Sequence, residues 1–247
     1  VFDRHGERSK RARARLKFLV KEIGLDAFVQ LVNEEEKAVS NQVFPIDIAN
    51  YSTKVEIPEI AIPSVVIEDE AAYAAWKTSN VIEQKQEGLF AIGIKVKIGD
   101  FYTDKARLLA DLVRKYAGND MRLTLRQNIL IRHVKEDLLP FFYVELQKLG
   151  FAEVGYNSTL DITSCPGTDT CNLGIASSTG ISTELEKVLK NEFPQYANNK
   201  EIAIKISGCM NSCGQHSMAH IGFQGMTVKS GKLVAPALQV LLGGGVL

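Results

Sequence analysis

The opening stretch "DRHGERSKRARARLKFLVKEIGLDAFVQLVNEEE" carries Leu16, Leu19, Val20 and Ile23 at helical spacing. Eight Lys and Arg fall between positions 4 and 21. Residues 1–36 are therefore expected to form a basic helical segment with one apolar stripe. Its charged face is either solvated or turned toward an anionic cofactor or another domain. Residues 37–84 lose this periodicity. "VEIPEIAIPSVVIEDE" reads as an extended connector, closed by a short helix at "DEAAYAAWKTS".

Periodicity returns from residue 85 to 152. In "GLFAIGIKVKIGD" the positions Ile92, Ile94, Val96 and Ile98 alternate with polar ones, which predicts a half-buried strand. "TDKARLLADLVRKYAG" predicts a helix with Thr103 as N-cap, an inward face of Leu108, Leu109, Leu112 and Val113, and a stop at Gly118. "MRLTLRQNILIRHV" gives two short strands, or one bent strand, around Gln127 and Asn128. A second helix in "KEDLLPFFYVELQKLGF" is broken or started near Pro140. The order strand, helix, strand, strand, helix makes up most of a ferredoxin-like split β-α-β unit.

Residues 153–247 read as a loop through "DITSCPGTDTCNLGIASSTG", then a helix "STELEKVLKNEF" capped by Ser182 or Thr183. The strand "EIAIKISGC" delivers Cys209 at its carboxyl end, where α/β folds commonly place cofactor ligands. The alternation from "MAHIGFQG" to "LQVLLGG" predicts a β-meander with a hairpin at "KSGK". The fold class expected is α+β, a ferredoxin-like half-domain followed by an α/β domain.

Composition narrows the function without naming it. Of 247 residues 45% are hydrophobic and 23% charged, as in ordinary globular chains. Lys plus Arg equals Asp plus Glu at 29 each, so bulk charge recruits neither nucleic acid nor membrane. No apolar run approaches the roughly 20 residues of a membrane span, and no signal-peptide pattern opens the chain. A cytoplasmic location is expected. Val1 in place of Met, and a Gly-rich ending that leads nowhere, give the expectation of a fragment.

The four Cys all lie between positions 165 and 213. Five residues separate Cys165 from Cys171, three separate Cys209 from Cys213, and 37 lie between the pairs. Such clustering favours metal binding over structural disulfides. Zinc knuckles prefer spacings of about two to four residues, which the first pair exceeds. No Cys-x-x-Cys redox pair is present. Four thiolates from two loops suit a [4Fe–4S] cubane, one per iron corner, with neighbouring Gly, Ser and Thr supplying backbone donors to sulfur. Zinc ligation, disulfides and unligated thiols stay open on spacing alone.

"CPGTDTC" together with "GCMNSCG" resembles the paired cysteine motifs of the sirohaem-dependent sulfite and nitrite reductases. "QKQEGLFAIGIKVKIGD" is similar to the strand that opens their second repeat, and "MRLTLRQNILI" to their Arg-Leu-Thr-x-x-Gln-Asn signature. The basic opening resembles the helix that leaves their first repeat. The resemblance covers nearly the whole chain.

It implies the C-terminal half of a pseudo-twofold reductase, with a [4Fe–4S] cluster on Cys165, Cys171, Cys209 and Cys213. Cys213 would also bridge to a sirohaem, whose open face would bind nitrite or sulfite for six-electron reduction. Lys85, Arg122, Arg126, Gln127, Asn128, Asn211 and Gln215 would serve the many carboxylates of the sirohaem. His216 and His220 are expected to be structural, and His5 and His133 have no chemical context. At Arg126 many second repeats of the family carry a non-basic residue. The family's substrate-binding Arg and Lys come mainly from the first half, so that half would be a partner, and a ferredoxin or a flavoprotein the electron donor. A non-catalytic iron–sulfur electron-transfer module is the alternative function.

Overall fold

The structure, a computed structural model, describes residues 1–10, 13–39, 45–46 and 57–244. Contacts divide the chain into two units, Val1–Thr53 and Lys54–Leu247.

In the first unit the described residues of the basic segment form three α-helices rather than one: α1 (Phe2–His5), α2 (Leu16–Ile23) and α3 (Leu25–Ala38). Gly24 separates the last two at φ 85°, a left-handed conformation that glycine adopts without strain. Of the predicted stripe, Leu19 is buried and Leu16 is exposed. Much of the expected connector, residues 40–44 and 47–56, lies outside the described residues.

In the second unit Val65 and Ile67 pack on a core ahead of α4 (Glu70–Asn80). Asp69 caps this helix by accepting from Ala72 N–H at 2.9 Å. β1 (Val81–Glu83), β2 (Leu89–Ile94), β3 (Met121–Leu123) and β4 (Ile129–Lys135) form an antiparallel sheet in the order β1-β2-β4-β3. β2 and β3 both run antiparallel to β4, so they are parallel to each other, joined by α5 (Thr103–Tyr116) with β4 inserted between. That is the expected split β-α-β unit. α6 (Leu139–Leu149) completes it, with Pro140 in its first turn, where a missing N–H costs nothing, and Gly150 closing it at φ 76°. Trp76, Ile92, Leu109, Ile131, Phe142 and Leu146 are fully buried between sheet and helices.

Three local expectations fail here. The strand ends at Ile94, and Ile98 sits in a 3-10 turn, Lys97–Gly99, at φ 49°. The ladder stops because Val96 N–H is taken by the Asn128 side chain at 2.9 Å. Thr103 is the first helical residue and makes no cap; Tyr102 holds the cap position. Leu108 faces outward, 57% exposed, one position off the Leu109–Leu112–Val113 stripe.

The second sheet is mixed, in the order β5-β6-β7-β8: β5 (Thr163–Ser164), β6 (Ile204–Ser207), β7 (Ile221–Ser230) and β8 (Leu233–Leu242). β5, β6 and β7 are parallel, and only β7 and β8 form a hairpin, with Gly231 and Lys232 at its tip. The expected meander is thus confined to that hairpin. Alternation alone does not distinguish parallel from antiparallel neighbours. α7 (Ser178–Glu192) lays Ile181, Leu185 and Leu189 on Ile162, Ile204 and Ile206, and the short α8 (Pro194–Ala197) follows. α7 begins earlier than expected. Ser177 caps it, accepting from Gly180 N–H, whereas Ser182 is buried inside the helix.

Candidate functional site

Parallel strands align their carboxyl ends, and here those ends carry cysteines. Cys165 directly follows β5, and Cys209 lies two residues beyond β6. The Cys165 N–H donates to Ile206 O at 3.1 Å, continuing the β5–β6 pairing to the cysteine itself. The Gly208 N–H then donates to Cys165 Sγ at 3.1 Å, and the Asn211 N–H to Cys209 Sγ at 3.5 Å. Ser178, at the start of α7, donates its hydroxyl to Cys165 O at 2.7 Å.

Close backbone packing joins the two cysteine loops. Ile175 and Ala176 N–H both donate to Gly208 O, at 2.8 and 3.0 Å. A Cβ on Gly208 would stand 2.8 Å from Gly167 Cα and 2.7 Å from Ala176 O, so only glycine fits. In the second loop Gly214, next to Cys213, donates its N–H to Ser207 Oγ at 3.0 Å. A Cβ there would overlap Ile206 O. All four thiols are free. Cys165 and Cys209 are buried, while Cys171 and Cys213 are exposed. Among the described residues no three His, Cys, Asp or Glu side chains gather tightly enough to hold a single ion. Amide donors aimed at thiolate sulfur are the surroundings that an iron–sulfur cluster uses, so the donor set fits one.

The other predicted site residues separate into groups. Gln127 and Asn128 occupy the β3–β4 turn and reach across to the cysteine domain. Gln127 Nε2 donates to Ser164 O at 2.8 Å, and its Oε1 accepts from Ser164 N–H at 3.0 Å. Asn128 is fully buried and donates to Asp161 Oδ2 while accepting from Val96 N–H. Both amides are thus engaged within the chain. Arg126 Nη1 donates to Asn157 O at 2.8 Å. Gln215 accepts from Lys205 Nζ and, like Asn211, lies in the second cysteine loop. Arg122 is paired with Asp120 at 2.8 Å on the edge strand β3. Lys85 lies exposed in the β1–β2 turn, about 20 Å along β2 from the Asn128 end. The structure therefore does not bring Lys85 to the cysteines. His216 Nε2 contacts Gln224 Oε1 at 3.0 Å and His220 Nδ1 accepts from Ala203 N–H at 3.0 Å, both structural roles. His133 is buried toward the far end of β4, and burial lowers its imidazole.

Two buried groups were not singled out from the sequence. Lys205 lies on the β6 face opposite Ile204 and Ile206. Burial pushes its ammonium down, and the Arg126 charge adds to this. The alternation in "EIAIKIS" places it off the apolar face and was the available signal. Asp161 is raised by burial, against hydrogen bonds from Asn157 N–H and Asn128.

Residues 82–149 match the nitrite/sulfite reductase ferredoxin-like half domain, and residues 155–246 the nitrite and sulphite reductase 4Fe-4S domain. The chain is 27% identical over 247 residues to the ferredoxin–nitrite reductase of Synechococcus elongatus, covering 99% of this chain and 43% of that one. It is 27% identical over 251 residues to sulfite reductase [ferredoxin] 1 of Mycolicibacterium paratuberculosis, covering 99% and 40%. The solved structure of the Mycobacterium tuberculosis NirA protein superposes on 98% of this chain and 40% of its own, at 27% identity and TM-score 0.60. The chain thus spans about 40% of the length of the relatives it matches. The 4Fe-4S domain match points to an iron–sulfur cluster rather than zinc as the metal group of this domain. With its fold, its cysteine loops and both domain matches in agreement, the chain belongs to the nitrite and sulfite reductase family.

Proposed function

We propose that this chain is the cluster-bearing part of a sirohaem-dependent reductase that converts nitrite to ammonia or sulfite to sulfide. The observation that carries this reading is the placement of Cys165 and Cys209 at the ends of adjacent parallel strands, each sulfur accepting a backbone N–H. When bound, the cluster and sirohaem supply single-electron storage and an iron that takes the anion. The chain's own contribution is to hold four thiolates in place. Cys165 and Cys209 are the buried anchors, and Cys171 and Cys213 complete the set from the surface. Cys213, exposed and followed by the closely packed Gly214, would be the thiolate shared by cluster and sirohaem. Asn211, Gln215, Arg126 and Arg122 are the donors assigned to sirohaem carboxylates. Gln127 and Asn128, whose amides are already engaged, are better suited to bracing the site. Ferredoxin is the electron donor proposed from the relatives' names. Free thiols suit a reducing compartment such as the cytoplasm.

The test is turnover by the full-length protein with nitrite and sulfite side by side, using a reduced viologen as donor, with iron and acid-labile sulfide measured on the same sample. Reduction of either anion, with sirohaem bands in the visible spectrum, is the expected result. Iron and sulfide without sirohaem bands or turnover would leave an electron-transfer module. Zinc without iron would overturn both.

A further inference from the structure

β5 is only two residues long, yet it sets the position of the first cluster ligand. One of its edges is satisfied by β6 through the Cys165 N–H bond to Ile206 O. Among the described residues no strand pairs with the opposite edge. There the Ser164 N–H and C=O both point at Gln127, whose amide accepts from one at 3.0 Å and donates to the other at 2.8 Å. A single side chain from the ferredoxin-like half domain acts as the neighbouring strand.

The turn that presents this side chain is held at a cost. Gln127 has φ 65°, a left-handed conformation uncommon for residues other than glycine. The chain keeps a glutamine there although glycine would relieve the backbone. Strain of this kind persists where surrounding structure fixes it for a purpose. On one side the turn abuts Gly99, where an added Cβ would stand 3.2 Å from Gln127 Cβ. On the other, Asn128 is fixed by Val96 and Asp161. Gln127 is therefore a rigid arm.

Resting on the iron–sulfur reading above, we propose that Gln127 is a positioning residue for Cys165. By fixing the Ser164 peptide it keeps Cys165 Sγ in reach of the Gly208 N–H and so sets the reduction potential of the cluster. Hydrogen bonds to ligand sulfur stabilise the reduced, more negative cluster and raise its potential. Releasing Ser164 lets Cys165 move relative to Gly208, weakens that bond and lowers the potential.

The experiment compares Gln127→Gly and Gln127→Met in the full-length protein. The first removes the amide and relieves the left-handed backbone; the second removes the amide and keeps the strain. Iron and acid-labile sulfide content, the EPR spectrum and midpoint potential of the reduced cluster, the rate of iron loss to a chelator, and the melting temperature are read for each. Both variants are expected to shift the potential negative, alter the EPR spectrum and lose iron about tenfold faster, the scale on which outer-shell partners act. Leu125→Ala, an exposed residue of the same turn, is expected to match wild type throughout. If Gly behaves as wild type while Met does not, the residue serves only the turn and the proposal fails. Wild-type potential and iron retention in both variants would equally overturn it. If neither variant accumulates as folded protein, Gln127 is a general folding determinant and the proposal fails as well. A wild-type protein without iron and acid-labile sulfide would instead sink the iron–sulfur reading itself.

Discussion

Replacing Glu186 by Gln tests the ion cluster that ties β2 to α7. Lys95, just past β2 and 3% exposed, lies 3.1 Å from both Glu186 and Glu153. Glu186, 10% exposed, also meets Lys190 at 2.9 Å and Lys97 at 3.5 Å. Burial pushes the Glu186 carboxyl up, but the Lys190 hydrogen bond and the Lys95 charge outweigh it and hold the carboxyl at about 2, against 4.5 for a free side chain. A depression of that size is worth about 3 kcal/mol of folding stability at about 1.4 kcal/mol per unit. Removing one member of a buried pair costs roughly 3–5 kcal/mol, so the two routes agree. Because the folded value lies below the unfolded one, the stabilisation is complete above pH 4.5 and is lost as pH falls toward 2. Glu186→Gln is therefore expected to lower unfolding free energy by about 3 kcal/mol at pH 7, and by about half that at pH 3. Urea titration of cluster-free protein, followed by the fluorescence of the buried single tryptophan, Trp76, measures both. A cost below about 1 kcal/mol at pH 7, or one unchanged between pH 5 and pH 3, would refute the assignment.

Other substitutions probe the cysteine frame more directly. Gly214→Ala drives a Cβ into Ile206 O, so the second loop must shift; we expect the purified protein to lack iron, and normal iron content would contradict the packing. Asn128→Ala orphans the buried Val96 N–H and removes a donor from Asp161, at about 1–3 kcal/mol each, giving a urea-measured loss of about 2–6 kcal/mol. Cys213→Ser, at an exposed position, should leave the cluster-free fold within about 0.5 kcal/mol of wild type while abolishing turnover by the full-length enzyme; wild-type rates would remove Cys213 from its bridging role.

The split β-α-β unit was legible because its elements keep one period long enough to read, as in the Leu109–Leu112–Val113 face of α5. The cysteine pairs were legible through spacing and neighbouring glycines. What escaped were decisions made across the chain. The end of β2 depends on Asn128, more than thirty residues away, taking the Val96 N–H. The cap of α7 moved to Ser177 because Ser182 is needed inside, against the sheet. Gln127 and Asn128 were expected to face a cofactor from motif likeness alone, whereas their amides are spent on Ser164, Val96 and Asp161. Lys85 shares a motif with Asn128's neighbours, yet lies beyond the opposite end of β2, a separation that motif likeness does not reveal.

The loop bearing Cys209 and Cys213 is also the only link between two parallel neighbours, β6 and β7. Parallel strands cannot be joined by a tight turn; a crossover of a dozen or more residues is obligatory. The thirteen residues from 208 to 220 are therefore close to the shortest link the topology permits. In an antiparallel sheet, a lineage that lost its metal could trim such a loop to two residues. Here trimming would unlink the sheet, so a descendant that abandoned the cofactor would still carry the empty loop as a record of it.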